Sequence, residues 1–382
     1  MKTISDTNLE GLLDKALEGR RMSPENLKTL LSLTDRAQVE ALFAAARRLR
    51  AQHFGDVVFL YGFLYISTYC RNDCNFCYFR RSNRDCRRYR KSGDEILAAA
   101  DGLAASGVHL IDLTMGEDPR LYSRGEDGFS ELIQLVRRVR RQTGLPVMVS
   151  PGVVVPSVLT PLASAGADWY ACYQETHQRP LFAALRPGQS FDERLEIKRR
   201  AHAAGLLIEE GLLSGVGETV DDVADSLRMM EDLAADQVRI MNFVPQPGTP
   251  MATAAATDSR REWVTIAVMR LFMPDRLIPA TLDVDGIEGL KGRLDAGANV
   301  VTSLVPPGRG LAGVAQSELD IEDGNRTAAK VCAVLAGCGL RPATPAAYQA
   351  WIQRRRRLVR SLLDRNGFST RVAVAEDIGG IA

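Results

Sequence analysis

The hydrophobic pattern of the chain changes character near residue 57. Before that point apolar positions recur at helical spacing. Ser23-Pro24-Glu25 sets an N-cap residue ahead of proline at the first helical position, and Leu27, Leu30 and Leu31 follow. Thr34 is expected to cap a second helix carrying Val39, Leu42, Phe43 and Leu49. From Val57 onward, short apolar runs alternate with amphipathic stretches. Strands are expected at 57–67, 109–115, 146–150, 168–174, 206–213, 237–244, 277–282 and 299–304. Helices are expected near 94–106, 128–142, 157–165, 191–204, 219–234, 258–273 and 286–296. Strand segments rich in Val, Ile and Leu without alternation suit a parallel sheet covered on both faces. Eight such strands alternating with helices give the count of a closed (β/α)8 TIM barrel, an α/β fold, with an open doubly wound sheet as the alternative.

Polar residues gather where these strands end: Asp112 to Asp118, Ser150, Gln174-Glu175, Glu209-Glu210, Arg239 to Gln246, Thr281 to Asp283 and Thr302-Ser303. A barrel builds its active site from several strand ends at once, and this distribution favours the barrel. The expected organisation is an N-terminal helical cap over 1–54, the barrel over 55–305 and a C-terminal helical extension over 306–382. The last contains a Gly- and acid-rich stretch (Gly308 to Gly324) and then helices around 325–337 and 345–365.

Apolar residues make up 46% of the chain and charged residues 25%, which suits a folded globule rather than a disordered chain. With 48 Lys and Arg against 47 Asp and Glu, the net charge of +1 supplies no field for nucleic acid or an anionic membrane. The basic runs Arg80 to Lys91 and Arg354 to Arg357 read as solvated faces. The polar start and the lack of a long apolar stretch lead us to expect a soluble, cytoplasmic protein.

Seven cysteines, three of them within eight residues, suit a reducing compartment better than a disulfide framework. Cys70, Cys74 and Cys77 form C-x3-C-x2-C directly after the first expected strand. Three thiolates on one short loop can hold three irons of a [4Fe–4S] cube and leave the fourth without a protein ligand. A small molecule's nitrogen and oxygen could then take the open position. The competing reading is a zinc site with Cys86 as fourth ligand, but structural zinc usually draws on two close ligand pairs. Cys172, Cys332 and Cys338 are expected to be small buried apolar residues.

This motif, with Phe76 before its last cysteine, resembles the signature of the radical S-adenosylmethionine enzymes. Thr114-Met115-Gly116-Glu117-Asp118, Gln174-Glu175-Thr176, Phe191-Asp192-Glu193-Arg194-Leu195 and Gly215-Val216-Gly217-Glu218-Thr219 follow the branch that holds biotin synthases, hydrogenase maturases and methylornithine synthases. Longer strings are most similar to the 3-methylornithine synthases of pyrrolysine biosynthesis. These are Ile111 to Pro119, Ser150 to Val153, Tyr173 to Thr176, Gly188 to Phe191, Arg276 to Ala280 and Ala296 to Asn299.

The resemblance implies a [4Fe–4S] cluster on Cys70, Cys74 and Cys77 as the catalytic centre. It implies S-adenosylmethionine held by Phe76, Gly116, Glu117, Asp118, Ser150, Glu175 and Arg194. It implies L-lysine as substrate, bound by Asp112, Arg239, Thr281 and Asp283, with Ser303 adding hydrogen bonds. Arg239 is expected on the α-carboxylate and the two aspartates on the ammonium groups, the alternative being an internal ion pair of the aspartates with Arg239. The implied reaction breaks lysine into a glycyl radical and an aminobutene and rejoins them as (3R)-3-methyl-D-ornithine. A flavodoxin- or ferredoxin-type reductant is expected, and a downstream pyrrolysine-pathway ligase would take the product. The alternative is another enzyme of the same branch acting on a different amino-acid-like substrate. A sulfur inserter would need a second cluster, and only Cys172 falls on an expected strand.

Overall fold

The computed structural model describes residues 4–255, 257–306 and 326–365, so the Gly- and acid-rich stretch lies outside the described residues. Eight strands appear at the expected spacing: β1 (Val57–Ser67), β2 (Leu110–Met115), β3 (Val147–Ser150), β4 (Ala167–Ala171), β5 (Leu207–Ser214), β6 (Gln237–Asn242), β7 (Pro279–Thr281) and β8 (Val300–Leu304). They pair in the order β6-β5-β4-β3-β2-β1-β8-β7. Two main-chain bonds join the outer members of that series: Val238 N donates to Leu277 O at 3.0 Å, and Leu277 N donates to Asp236 O at 3.2 Å. This seam makes the sheet a barrel and removes the open alternative.

Short polar residues start several of the helices that cover the barrel. Ser92 accepts from Glu95 N at 3.3 Å while Glu95 accepts from Ser92 N at 2.7 Å, a reciprocal cap for Gly93–Ala105. Ser190 caps Phe191–Ala203 by accepting from Glu193 N at 3.2 Å, which places Arg194 in the first turn at the barrel's upper rim. In the N-terminal region Ser23 caps Pro24–Leu31 as expected. The next cap is Asp35 instead of Thr34: its carboxylate accepts from the Ala37 and Gln38 amides at 2.9 and 3.0 Å. A carboxylate suits the positive end of a helix better than a hydroxyl does.

The floor of the barrel is closed by the C-terminal helix Pro345–Arg365. Phe59, Tyr61, Met148, Trp169 and Leu207 point inward at the strands' N-terminal ends and pack against Tyr348, Trp351 and Ile352. Trp351 stacks on Trp169 with ring centroids 5.8 Å apart, and Tyr348 Oη donates to Tyr61 Oη at 2.6 Å. Arg355 pins the helix by donating to Asp236 Oδ1 at 2.6 Å. The barrel interior therefore opens only toward the strands' C-terminal ends among the described elements.

Two strands are shorter than the apolar pattern suggests. β4 stops at Ala171 and not at Gln174, and β6 stops at Asn242 and not at Val244. In the first case the chain turns through Glu175, whose φ of 68° lies in the left-handed region. A non-glycine residue there costs on the order of 1–3 kcal/mol and persists only where its surroundings fix it. Here Glu175 N donates to Gly211 O and Leu213 N donates to Glu175 O, both at 3.0 Å.

Candidate active site

A cavity of about 230 Å³ lies at the C-terminal ends of the strands. Cys70, Cys74 and Cys77 line it, and so do Asp112, Arg239 and Asp283. The cysteine loop reaches it because neighbouring backbone approaches closely. Arg71 N donates to Glu117 O at 2.8 Å, and Asn75 N donates to Leu185 O at 2.8 Å. A Cβ on Gly116 would lie 2.5 Å from Tyr69 O and 2.9 Å from Cys70 Cβ, so only glycine fits against the loop. Arg88 fills the loop's underside, donating to the carbonyls of Thr68 and, at 2.9 Å, Phe79.

All three thiols are free of disulfides. Burial raises the pKa of Cys70 and, more strongly, that of Cys77, where the neighbouring sulfurs add to the effect. Sulfurs whose negative charges repel when unliganded are suited to cationic iron. Among the described residues no three His, Cys, Asp or Glu side chains converge tightly enough to hold one metal ion; a cube asks for three sulfurs on three separate corners. The donor set and the glycine-lined cradle fit a [4Fe–4S] cluster. Cys86 does not line the cavity. It packs with Phe63, Tyr65 and Phe79, and burial pushes its thiol up to about 11.

Six of the seven residues expected around S-adenosylmethionine line the same cavity: Phe76, Gly116, Glu117, Ser150, Glu175 and Arg194. Glu117 is held by Arg71 Nε at 2.9 Å, Arg194 Nη1 at 3.4 Å and Val153 N at 3.1 Å. Burial pushes its carboxyl up, but Arg194 and Arg71 outweigh that and leave it below the usual range. Arg194 is buried, not paired with Asp192 or Glu193, and its Nε donates to Tyr173 O at 2.7 Å. Glu175 accepts from Arg186 Nη2 at 2.7 Å, and burial holds its carboxyl above the ordinary value. Asp118 departs from expectation. It caps Pro119–Tyr122, takes Arg90 on both oxygens at 2.7 and 2.8 Å, and accepts from Ser67 Oγ at 2.6 Å, all away from the cavity lining. Its three partners use up its acceptors and make it a clamp on the loop.

Four of the five expected substrate residues, Asp112, Arg239, Asp283 and Ser303, line the same cavity. Asp112 accepts from Thr114 Oγ1 at 2.9 Å; burial, with Glu209's charge next, pushes its carboxyl up to about 7. Arg239 pairs through Nε with Glu209 Oε1 at 2.7 Å, and Tyr173 Oη donates to Glu209 Oε2 at 2.8 Å. The internal partner of Arg239 is thus Glu209 and neither aspartate. Asp283 Oδ2 accepts from Ser303 Oγ at 2.5 Å and Thr281 Oγ1 at 3.0 Å, while its Oδ1 accepts from Arg326 Nη1 at 2.7 Å. Ser303, like Glu175, holds φ at 68°. Thr281 stands behind Asp283 and does not itself line the cavity.

Glu209 is expected only as one of the polar residues at the strand ends, and it stands instead near the start of β5; Arg186, Gln189 and Arg326 carry no role in the sequence reading. Alternation along β5 separates Glu209, facing Arg239, from Glu210, which is salt-bridged to Lys198 outside the barrel. Cys172 is buried as expected, but it lies past the end of β4 and lines the cavity; Cys332 and Cys338 are only half-buried.

The model of the radical SAM superfamily matches residues 64–230. The 3-methylornithine synthase of Methanosarcina acetivorans is 42% identical over 349 residues, covering 91% of this chain and 98% of that protein. The [FeFe] hydrogenase maturase subunit HydE of Thermotoga maritima is 33% identical over 293 residues, covering 76% and 82%. The crystal structure of methylornithine synthase (PylB) superposes with a TM-score of 0.84 at 42% identity, covering 89% of this chain and 99% of that one. The chain belongs to the 3-methylornithine synthase family of radical SAM enzymes.

Proposed function

We propose that the chain isomerises L-lysine to (3R)-3-methyl-D-ornithine, with the residues of the cavity in the following roles. Cys70, Cys74 and Cys77 hold a [4Fe–4S] cluster, and S-adenosylmethionine lies against Phe76, Gly116, Glu117, Ser150, Glu175 and Arg194. When bound, the two supply one-electron chemistry that removes a hydrogen atom from an unactivated carbon of lysine. Glu117 and Glu175 face the methionine's cationic groups, and Arg194 offers its guanidinium to the carboxylate.

The observation that carries the reading is one cavity lined both by the three thiols and by Asp112, Arg239 and Asp283. A zwitterion with a second ammonium needs one cation and two anions at its ends. Glu209 holds Arg239 by the Nε edge, which leaves the outer guanidinium edge for a carboxylate. Asp112 lies on β2 and Asp283 just past the end of β7, suited to ammonium groups at opposite ends of a chain. Lysine's carbon skeleton must come apart and rejoin, so the walls have to retain both pieces and keep out water. Tyr348 and Trp351 below and the cysteine loop above provide that enclosure.

Among the described residues no helix is long and apolar enough to cross a membrane. We read the enzyme as cytoplasmic, served by a flavodoxin- or ferredoxin-type donor, with its product passed to a ligase. Incubating the anaerobically reconstituted protein with reductant, S-adenosylmethionine and L-lysine is expected to give a compound of lysine's mass that separates from lysine by chromatography. Lysine recovered unchanged while S-adenosylmethionine is cleaved would exclude the reading.

A further inference from the structure

We propose that Arg186 and Gln189 are positioning residues that set the reduction potential of the cluster through the sulfur of Cys74. The inference rests on Cys74 being a cluster ligand. Both residues lie between the helices Arg179–Leu185 and Phe191–Ala203. Gln189 Nε2 donates to Cys74 Sγ at 3.0 Å, and Arg186 Nη1 reaches the same sulfur at 3.4 Å. By contrast Cys70 Sγ accepts from Asn72 N at 3.5 Å, within its own loop.

The surroundings leave these donors little choice of orientation. Gln189 Oε1 accepts from Arg186 Nη1 at 3.4 Å and from Arg194 Nη1 at 3.3 Å. An amide oxygen facing two guanidinium groups turns its nitrogen toward the sulfur. Arg186 Nη2 is fixed in turn by Glu175 Oε1 at 2.7 Å and Tyr173 O at 3.2 Å, and the arginine side chain is 7% exposed. Its guanidinium also lies 5.2 Å from the centre of the Phe76 ring.

One added electron makes the cluster and its thiolates more negative. N–H donors and a buried cation beside a ligating sulfur stabilise that state more than the oxidised one, and so raise the potential. A guanidinium this buried acts through less screening than one in water. Arg186 also touches Glu175, so one side chain couples the iron side of the cavity to the carboxylate facing S-adenosylmethionine. The electron comes from the one-electron carrier protein of the proposed function.

The test is a redox titration of the reconstituted protein followed by the electron paramagnetic resonance of the reduced cluster, with iron counted in the same samples. Gln189→Leu removes a donor and is expected to lower the midpoint. Gln189→Glu adds a negative charge and should lower it further, by a tenfold or greater change in the oxidised-to-reduced ratio at fixed potential, ~59 mV for one electron. Arg186→Lys keeps the charge but loses the fork, and should give a smaller fall; it serves if the Gln189 variants fail to load. Variants that carry iron like the parent and keep its midpoint overturn the inference. A parent that binds no cluster through these cysteines overturns instead the reading on which it rests.

Discussion

Arg326 Nη1 donates to Asp283 Oδ1 at 2.7 Å, and both side chains are buried. The arginine comes from beyond the barrel, where Val305 N donates to Arg326 O at 3.1 Å. The C-terminal region thus supplies a charge to the wall on which the substrate's ammonium is expected. Asp283→Asn leaves Arg326 buried without its counter-charge and should cost about 3–5 kcal/mol of stability. Arg326→Met should also destabilise, and the double variant should lose less than the two singles combined. Denaturant unfolding of the cluster-free protein measures all three; strict additivity would show that the pair is not coupled.

The carboxyl of Asp112 is raised from an ordinary 3.8 to about 7, first by burial and then by Glu209. An ammonium group beside it favours the ionised form, so binding lysine should release a proton below pH 7. Affinity for lysine is expected to rise as pH increases through about 7 and level off above it. Asp112→Asn should flatten this profile and weaken binding by roughly 1.5–3 kcal/mol, the worth of a charged hydrogen bond. The raised value also means that ionisation opposes folding as pH climbs from 3.8 to about 7. The same variant should therefore gain stability over the parent at pH 8 relative to pH 4. Calorimetric titration across pH 6–8 checks the binding, and a level profile for the parent would refute it.

Gly116 is a matter of contact distance. Gly116→Ala places a Cβ 2.5 Å from Tyr69 O, and something in the cysteine loop has to move. The expected result is a fall in bound iron after reconstitution. Gly102→Ala is the contrast: its Cβ would meet Pro306 Cβ at an ordinary 3.5 Å, within the helix Gly93–Ala105. That change should leave iron content alone and add about 0.5–1 kcal/mol of stability. Equal iron in both variants would contradict the account of the cradle.

Trp351 and Trp169 close the barrel floor. Trp351→Ala should cost about 3–5 kcal/mol, as large-to-small changes in a packed core do. Thermal unfolding of the cluster-free protein would show it, and a loss below 1 kcal/mol would mean that the floor is not packed as described.

The barrel was legible because β1 and β3 are apolar runs that end on Ser67 and Ser150, and paired apolar residues open β2, β5 and β8, as strands buried on both faces require. The cysteine trio was legible because ligand spacing is local. Asp118 misled because residues adjacent in sequence at a strand end need not share a direction: Glu117 turns into the cavity and Asp118 turns back to Arg90. Arg186, Gln189 and Arg326 left no mark in periodicity. Their roles arise where loops from distant parts of the chain meet, and a polar residue in a loop looks alike whether it faces water or a sulfur. Thr34 gave way to Asp35 for a local reason, the better acceptor standing one residue on.

In the proposed reaction one cavity takes lysine apart and rejoins the same two pieces. An equal mixture of unlabelled and uniformly carbon-13 L-lysine, converted in one anaerobic reaction and resolved by mass spectrometry, tests this directly. The expected product is wholly labelled or wholly unlabelled. Product carrying a labelled two-carbon piece on an unlabelled four-carbon piece would show that the fragments escape and mix, and would contradict the proposed reaction.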